Sequence, residues 1–144
     1  MSMYETFKTD SGVETAGVRI EYGDFRVTVA RAGGANKKFA KILDRKTKPH
    51  RRALQLETMD PEVGKRLMIE TYAEAVITNW ESLRDGAWKQ GIEAASGDAL
   101  LPFTTANVIA TLEALPDLFA DIQEQAGKVA LFRQSLREDD SKNL

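Results

Sequence analysis

At 144 residues the chain is long enough to bury a core without covalent staples, and the absence of cysteine excludes a disulfide framework, a thiolate nucleophile and a Cys-based zinc site. The net charge of −2 hides a split: Arg19 to Arg52 holds eleven Lys and Arg against Glu21, Asp24 and Asp44, a net of +8, and the rest carries −10. One basic and one acidic face are expected, which bears on partners and association rather than on fold. No stretch approaches the roughly 18 consecutive apolar residues of a membrane span. The opening MSMYETFKTD has no apolar core of a secretory signal, so a soluble cytosolic protein is expected.

Residues 1–16 are polar with a few scattered apolar positions, and a flexible N-terminal arm is expected there. From Gly17 to Arg31 the sequence alternates. Val18, Ile20 and Tyr22 share one face, and Phe25, Val27 and Val29 resume the series after Gly23-Asp24, the signal of a β-hairpin with a glycine-led two-residue turn. A lone hairpin is marginal in water, so it should lie on helices or extend a sheet in a partner chain. Ala32-Gly33-Gly34-Ala35 breaks the pattern without the spacing of a phosphate-binding loop and reads as a connection, with Asn36 as N-cap of a helix from Lys37 to about Thr47. That helix turns Phe39, Ala40, Ile42 and Leu43 inward and Lys37, Lys38, Lys41, Arg45 and Lys46 outward; Pro49 stops it, and His50 to Leu56 reads as a short helical turn.

Asp60 to Glu81 is the most apolar stretch and is predicted to be a central core helix, capped by Asp60 with Pro61 in its first turn. Met68, Tyr72, Val76 and Trp80 recur at helical spacing, which predicts a buried Trp80. Three glycines (Gly86, Gly91 and Gly97) divide Ser82 to Leu100 into a loop with room for a short strand at Ala87 to Ile92. Leu101-Pro102-Phe103-Thr104 starts a helix, with Thr104 capping and Phe103 packing on Val108. Its stripe is Val108, Ile109, Leu112 and Leu115; Pro116-Asp117 restarts the chain, and Leu118, Phe119, Ile122, Ala126, Val129, Phe132 and Leu136 continue to about Arg137. The fold class expected is mainly α with a small N-terminal β-hairpin (α+β), one compact helical domain over residues 17–137, with a disordered C-terminal tail over 138–144.

Residues with the makings of a reactive site are few. His50 sits in the basic stretch KTKPHRR with no acid or second imidazole at ligand spacing, and is read as a solvent-exposed residue. Asp117, Asp121 and Glu124 lie on consecutive turns and are read as a solvated acidic face rather than a cation site. No enzyme activity, cofactor or metal is expected. The candidate partner-binding residues are Lys37, Lys38, Lys41 and Arg45 on the basic helix. Nucleic-acid binding through segment 37–52 is the alternative, disfavoured because Phe39 is its one interleaved aromatic and the whole chain is acidic.

Three tracts carry a resemblance: VRIEYGDFRVTVARAGGANKKFAKIL, TYAEAVITNWESL and LPFTTANVIATLEALPDLFADIQEQAGKVALF. In this order, from about Gly17 to Phe132, the chain resembles the tail assembly chaperones of tailed phages and prophages. The resemblance implies a small, mainly helical protein with a hairpin that acts in the infected cell, binds the tape measure protein, recruits tail tube subunits and is absent from the finished particle. Members of that family are often made in two lengths by a programmed ribosomal frameshift near the end of the short form. A homo-oligomer and a cytoplasmic location in the host are expected alongside. The matching tracts contain no catalytic motif, and no binding residue transfers from the family.

Overall fold

The computed structural model describes residues 2–97 and 99–133. The tail expected at 138–144 and the end of the last predicted stripe, Leu136 and Arg137, lie outside the described residues. Two short helices open the chain, α1 (Met3–Phe7) and α2 (Ser11–Ala16), where an arm was expected. A hairpin follows, β1 (Val18–Glu21) and β2 (Phe25–Val29), then α3 (Lys37–Thr47), a 3-10 turn over Lys48–His50, and α4 (Arg51–Gln55). Next come α5 (Pro61–Ala75), β3 (Ile77–Arg84), β4 (Ala87–Gln90), β5 (Ile92–Glu93), β6 (Leu100–Leu101), α6 (Thr105–Ala114), α7 (Pro116–Gly127) and a 3-10 turn over Val129–Phe132.

The expectation of a mainly helical fold with only an N-terminal hairpin is overturned. A four-stranded antiparallel sheet in the order β1-β2-β3-β4 stands in the middle of the chain, packed with helices in a mixed α+β fold. The hairpin finds its partner within the chain, since β2 pairs along β3 with Val27 opposite Trp80. The central helix begins as predicted, with Asp60 Oδ1 accepting from the Glu62 N–H at 2.9 Å and Pro61 at its first position. It ends at Ala75, however, and Trp80 lies on a strand.

The reason lies in Val76-Ile77-Thr78. Three consecutive β-branched side chains lose rotamer freedom against a preceding helical turn and suit an extended pleat. Thr78 is the extra residue of a bulge: Thr28 pairs with Asn79 and Val29 with Ile77, and the Thr78 hydroxyl donates to Thr28 O at 3.3 Å or Ala16 O at 3.2 Å. The short strand expected within Ala87 to Ile92 is present as β4, and it pairs with β3 in a second hairpin. Asp85 and Gly86, at φ 52° and 75°, form its two-residue turn, the positive-φ pair that Asp-Gly favours between twisted strands.

The core joins the sheet to α5, α6 and α7. Val27, Val29, Ile77 and Trp80 from the strands meet Ile69, Tyr72 and Val76 from the α5 side and Val108, Leu112, Phe119 and Ile122 from α6 and α7. Tyr72 is wedged between Phe39 and Phe119 in edge-to-face contacts at 5.7 and 5.4 Å. Asn36 precedes α3 but makes no cap bond with its side chain. Buried, it donates instead to Arg31 O at 2.8 Å and Ala75 O at 2.9 Å, satisfying a carbonyl that the end of α5 leaves open.

Candidate functional site

The basic helix follows its pattern in part: Ala40, expected inward, is exposed, and Lys46, expected outward, is half-buried. Ile42 is buried, Phe39 leans on Tyr72, and Lys37, Lys38 and Lys41 are exposed on the opposite side. Spacings of three and four place Lys37, Lys38, Lys41 and Arg45 along one face. The four are not equivalent. Arg45 Nη2 pairs with Glu74 Oε1 on α5 at 3.0 Å, whereas Lys37, Lys38 and Lys41 have no ion-pair partner among the described residues.

Lys46, beside Arg45, clamps the same pair of helices, with its Nζ 2.6 Å from Glu74 Oε2 and 3.4 Å from Glu70 Oε2. The Glu74 hydrogen bond comes first among the causes that hold this ammonium above its ordinary pKa, against the opposing effect of burial. Among the described residues the positive surface therefore divides into a fastened part, Arg45 and Lys46, and a part without ion pairs, Lys37, Lys38 and Lys41. Exposed Lys48, Arg51 and Arg52 continue the charge, followed by exposed Leu54 and Leu56. His50 is half-buried rather than exposed. Asp121 on α7 accepts the Tyr22 hydroxyl at 2.5 Å, so one member of the acidic face belongs to the packing of the hairpin on α7.

Behind this surface lies a charged lock that the sequence did not disclose. Glu14 on α2 is buried; its carboxylate accepts from Arg31 Nη1 at 3.1 Å and, at very short range, from the Ala35 N–H. The Arg31 N–H donates back to Glu14 O at 2.9 Å. Burial pushes the Glu14 carboxyl upward, but the Thr9 hydroxyl, the Ala35 N–H and Arg31 outweigh it and hold the group below its usual range. Gly34, at φ 54°, leaves room for this arrangement, because a Cβ there would run into the Glu14 carboxylate and the Arg31 guanidinium. The lock fixes the chain just before the basic helix.

A second feature was equally invisible. Phe25, Trp80, Ile92, Leu101, Leu115 and Leu118, with small residues of α6, line an apolar cavity of about 430 Å³. Tyr22, Phe25 and Trp80 stack in series, with ring centroids 4.9 and 5.7 Å apart. The Trp80 Nε1 is buried with no hydrogen-bond partner among the described residues. Half-exposed Leu115 marks the side on which the cavity meets solvent. Sequence periodicity shows apolar faces but not the gap that six separate elements leave between them.

The family model of the YdaY prophage protein matches residues 34–143, from the turn before α3 past the last 3-10 turn. No curated protein and no solved structure matches the chain.

Proposed function

The chain belongs to the YdaY prophage protein family, and from that premise we propose that it is a tail assembly chaperone. It binds the tape measure protein in the host cytoplasm and recruits tail tube subunits during tail morphogenesis, and it is absent from the mature virion. The observation that carries this reading is the lysine face of α3, Lys37, Lys38 and Lys41, which has no ion-pair partner among the described residues and stands out from a chain that is acidic overall. A long helical client exposes surface before assembly and needs a partner that holds it through complementary charge and apolar contact without chemistry. The basic face beside exposed Leu54 and Leu56 offers both. The tracts that resemble tail assembly chaperones supply β1 to α3, the α5–β3 junction and the α6–α7 pair, and so make up most of the core.

The continuation of positive charge through Lys48, Arg51 and Arg52 is what a nucleic-acid-binding regulator would use. Phe39, the one aromatic in that segment, is turned against Tyr72 and is not presented for base stacking, which favours the protein client.

The test is the triple substitution Lys37→Glu, Lys38→Glu and Lys41→Glu. Arg45 is left alone, because an acid there would face Glu74. Exposed unpaired lysines contribute little to stability, so the melting temperature should barely move. Capture of the co-expressed tape measure protein should slow, most at low salt, because exposed charges are screened beyond about 8 Å at physiological ionic strength. A variant that keeps its client as soluble as the parent does removes this face from the client site. A parent that instead elutes with RNA, lost in the variant and in high salt, supports the regulator.

A further inference from the structure

The short helix α1 presents an apolar knob to solvent. Met3, Tyr4 and Phe7, at spacings of one, three and four, share one face and are 76%, 74% and 70% exposed, and no residue of α1 is buried. A five-residue helix has almost no stability of its own. Here it is closed by a capping box, the Ser2 hydroxyl accepting from the Glu5 N–H at 3.1 Å and Glu5 Oε2 accepting from the Ser2 N–H at 3.4 Å. Three large apolar side chains are thus held in a fixed array facing water. Elsewhere the chain carries the matching absence, the apolar cavity floored by Phe25 and Trp80 and edged by Leu115 and Leu118.

The knob stands away from the cavity of its own chain. Asp10 N–H donates to Phe132 O at 2.7 Å, Thr9 bridges Arg133, and Glu14 is locked to Arg31 and Ala35. These ties gather the N-terminal segment beyond the Val29 end of β2. Met3, Tyr4 and Phe7 are not among the residues that line the cavity and stay exposed, so the chain does not fill it with its own α1.

We infer that α1 of one copy seats Met3, Tyr4 and Phe7 in the cavity of a second copy, so that the chain self-associates by exchanging its N-terminal helix. Reciprocal exchange closes a two-fold dimer that covers both knobs and both cavities; one-way exchange builds a ring or a filament. The inference is separate from the chaperone reading, because its test needs no client.

The experiment is sedimentation of the full chain over a wide concentration range, with one variant on each side of the contact. Tyr4→Ser with Phe7→Ser empties the knob, and both residues are exposed enough for the fold to survive. Ala110→Arg, on the exposed side of α6, fills the cavity. The parent should associate with rising concentration, and each variant should lose at least about tenfold in association constant, the effect of about 1.4 kcal/mol. The Trp80 indole N–H resonance should shift with concentration in the parent and stay fixed in both variants. The heptapeptide of residues 2–8, added to the knob-less variant, should move that same resonance. A parent that is a strict monomer overturns the inference, as does association that both variants preserve or a Trp80 resonance indifferent to the peptide.

Discussion

Replacing Glu14 by Ala breaks the lock between α2 and the turn before α3. The substitution removes an acceptor that serves Arg31 Nη1 and the Ala35 N–H together, and leaves a buried space where the carboxylate stood. Deleting one partner of a fully buried ion pair costs about 3–5 kcal/mol. The Arg31 side chain is 23% exposed and can recover some hydration, so a smaller loss, about 2–3 kcal/mol at neutral pH, is expected. The pH dependence follows from the depressed carboxyl. A group whose folded pKa lies below its ordinary value of 4.5 stabilises the fold fully above that value, and the contribution is lost as pH falls through the folded pKa. Urea melts of parent and Glu14→Ala should therefore differ by that amount at pH 7, and the gap should narrow in strong acid to the cost of the emptied space. A difference under about 0.5 kcal/mol at pH 7, the range of an ordinary surface change, would refute the lock. So would a gap that does not narrow with acid.

Other consequences can be read from single substitutions. Trp80→Ala should cost about 3–5 kcal/mol in denaturant melts, since it empties the strand position opposite Val27 and the end of the aromatic stack; a loss under about 1 kcal/mol would mean that β3 does not organise the core. Gly91→Ala should cost about 1–3 kcal/mol or more, because Gly91 sits at φ 135° and a Cβ would also lie 2.9 Å from Leu101 O; a Tm equal to that of the parent would contradict this geometry. Tyr22→Phe should cost about 1–2 kcal/mol through the lost bond to Asp121. Burial, then the hydrogen bond and charge of Asp121, raise the Tyr22 hydroxyl above its ordinary 10, so its share of stability is complete below pH 10 and lost above it. Melts of parent and variant that run parallel from neutral to strongly alkaline pH would count against that bond.

Much of the chain was legible where local chemistry decides local structure. The glycine-led turn at Gly23, the bounds of α3, the cap at Asp60 and the start of α6 at Thr104 follow from residues within a few positions of one another. The error over Trp80 came from a coincidence of periods. Met68, Tyr72, Val76 and Trp80 recur every four residues, which suits a helix, yet an interval of four suits a strand of period two equally well. The β-branched run at Val76 to Thr78 and the Asp85-Gly86 turn were the signals that separate the two, and they mark the change from α5 to the β3–β4 hairpin. The Glu14–Arg31 lock and the cavity could not be read from spacing. One joins residues seventeen positions apart, and the other is a space between elements that meet only in three dimensions. Lys37, Lys38, Lys41 and Arg45 were legible as one helical face; the pairing of Arg45 with Glu74, which divides it, was not.

The chaperone assignment meets its most direct test in co-expression of the parent chain with the tape measure protein of its own prophage. Tape measure protein made alone should aggregate. With the chain present it should remain soluble, and the two should elute together through gel filtration at low salt. Tape measure protein that stays insoluble beside abundant folded chain, with the chain eluting alone, would contradict the assignment.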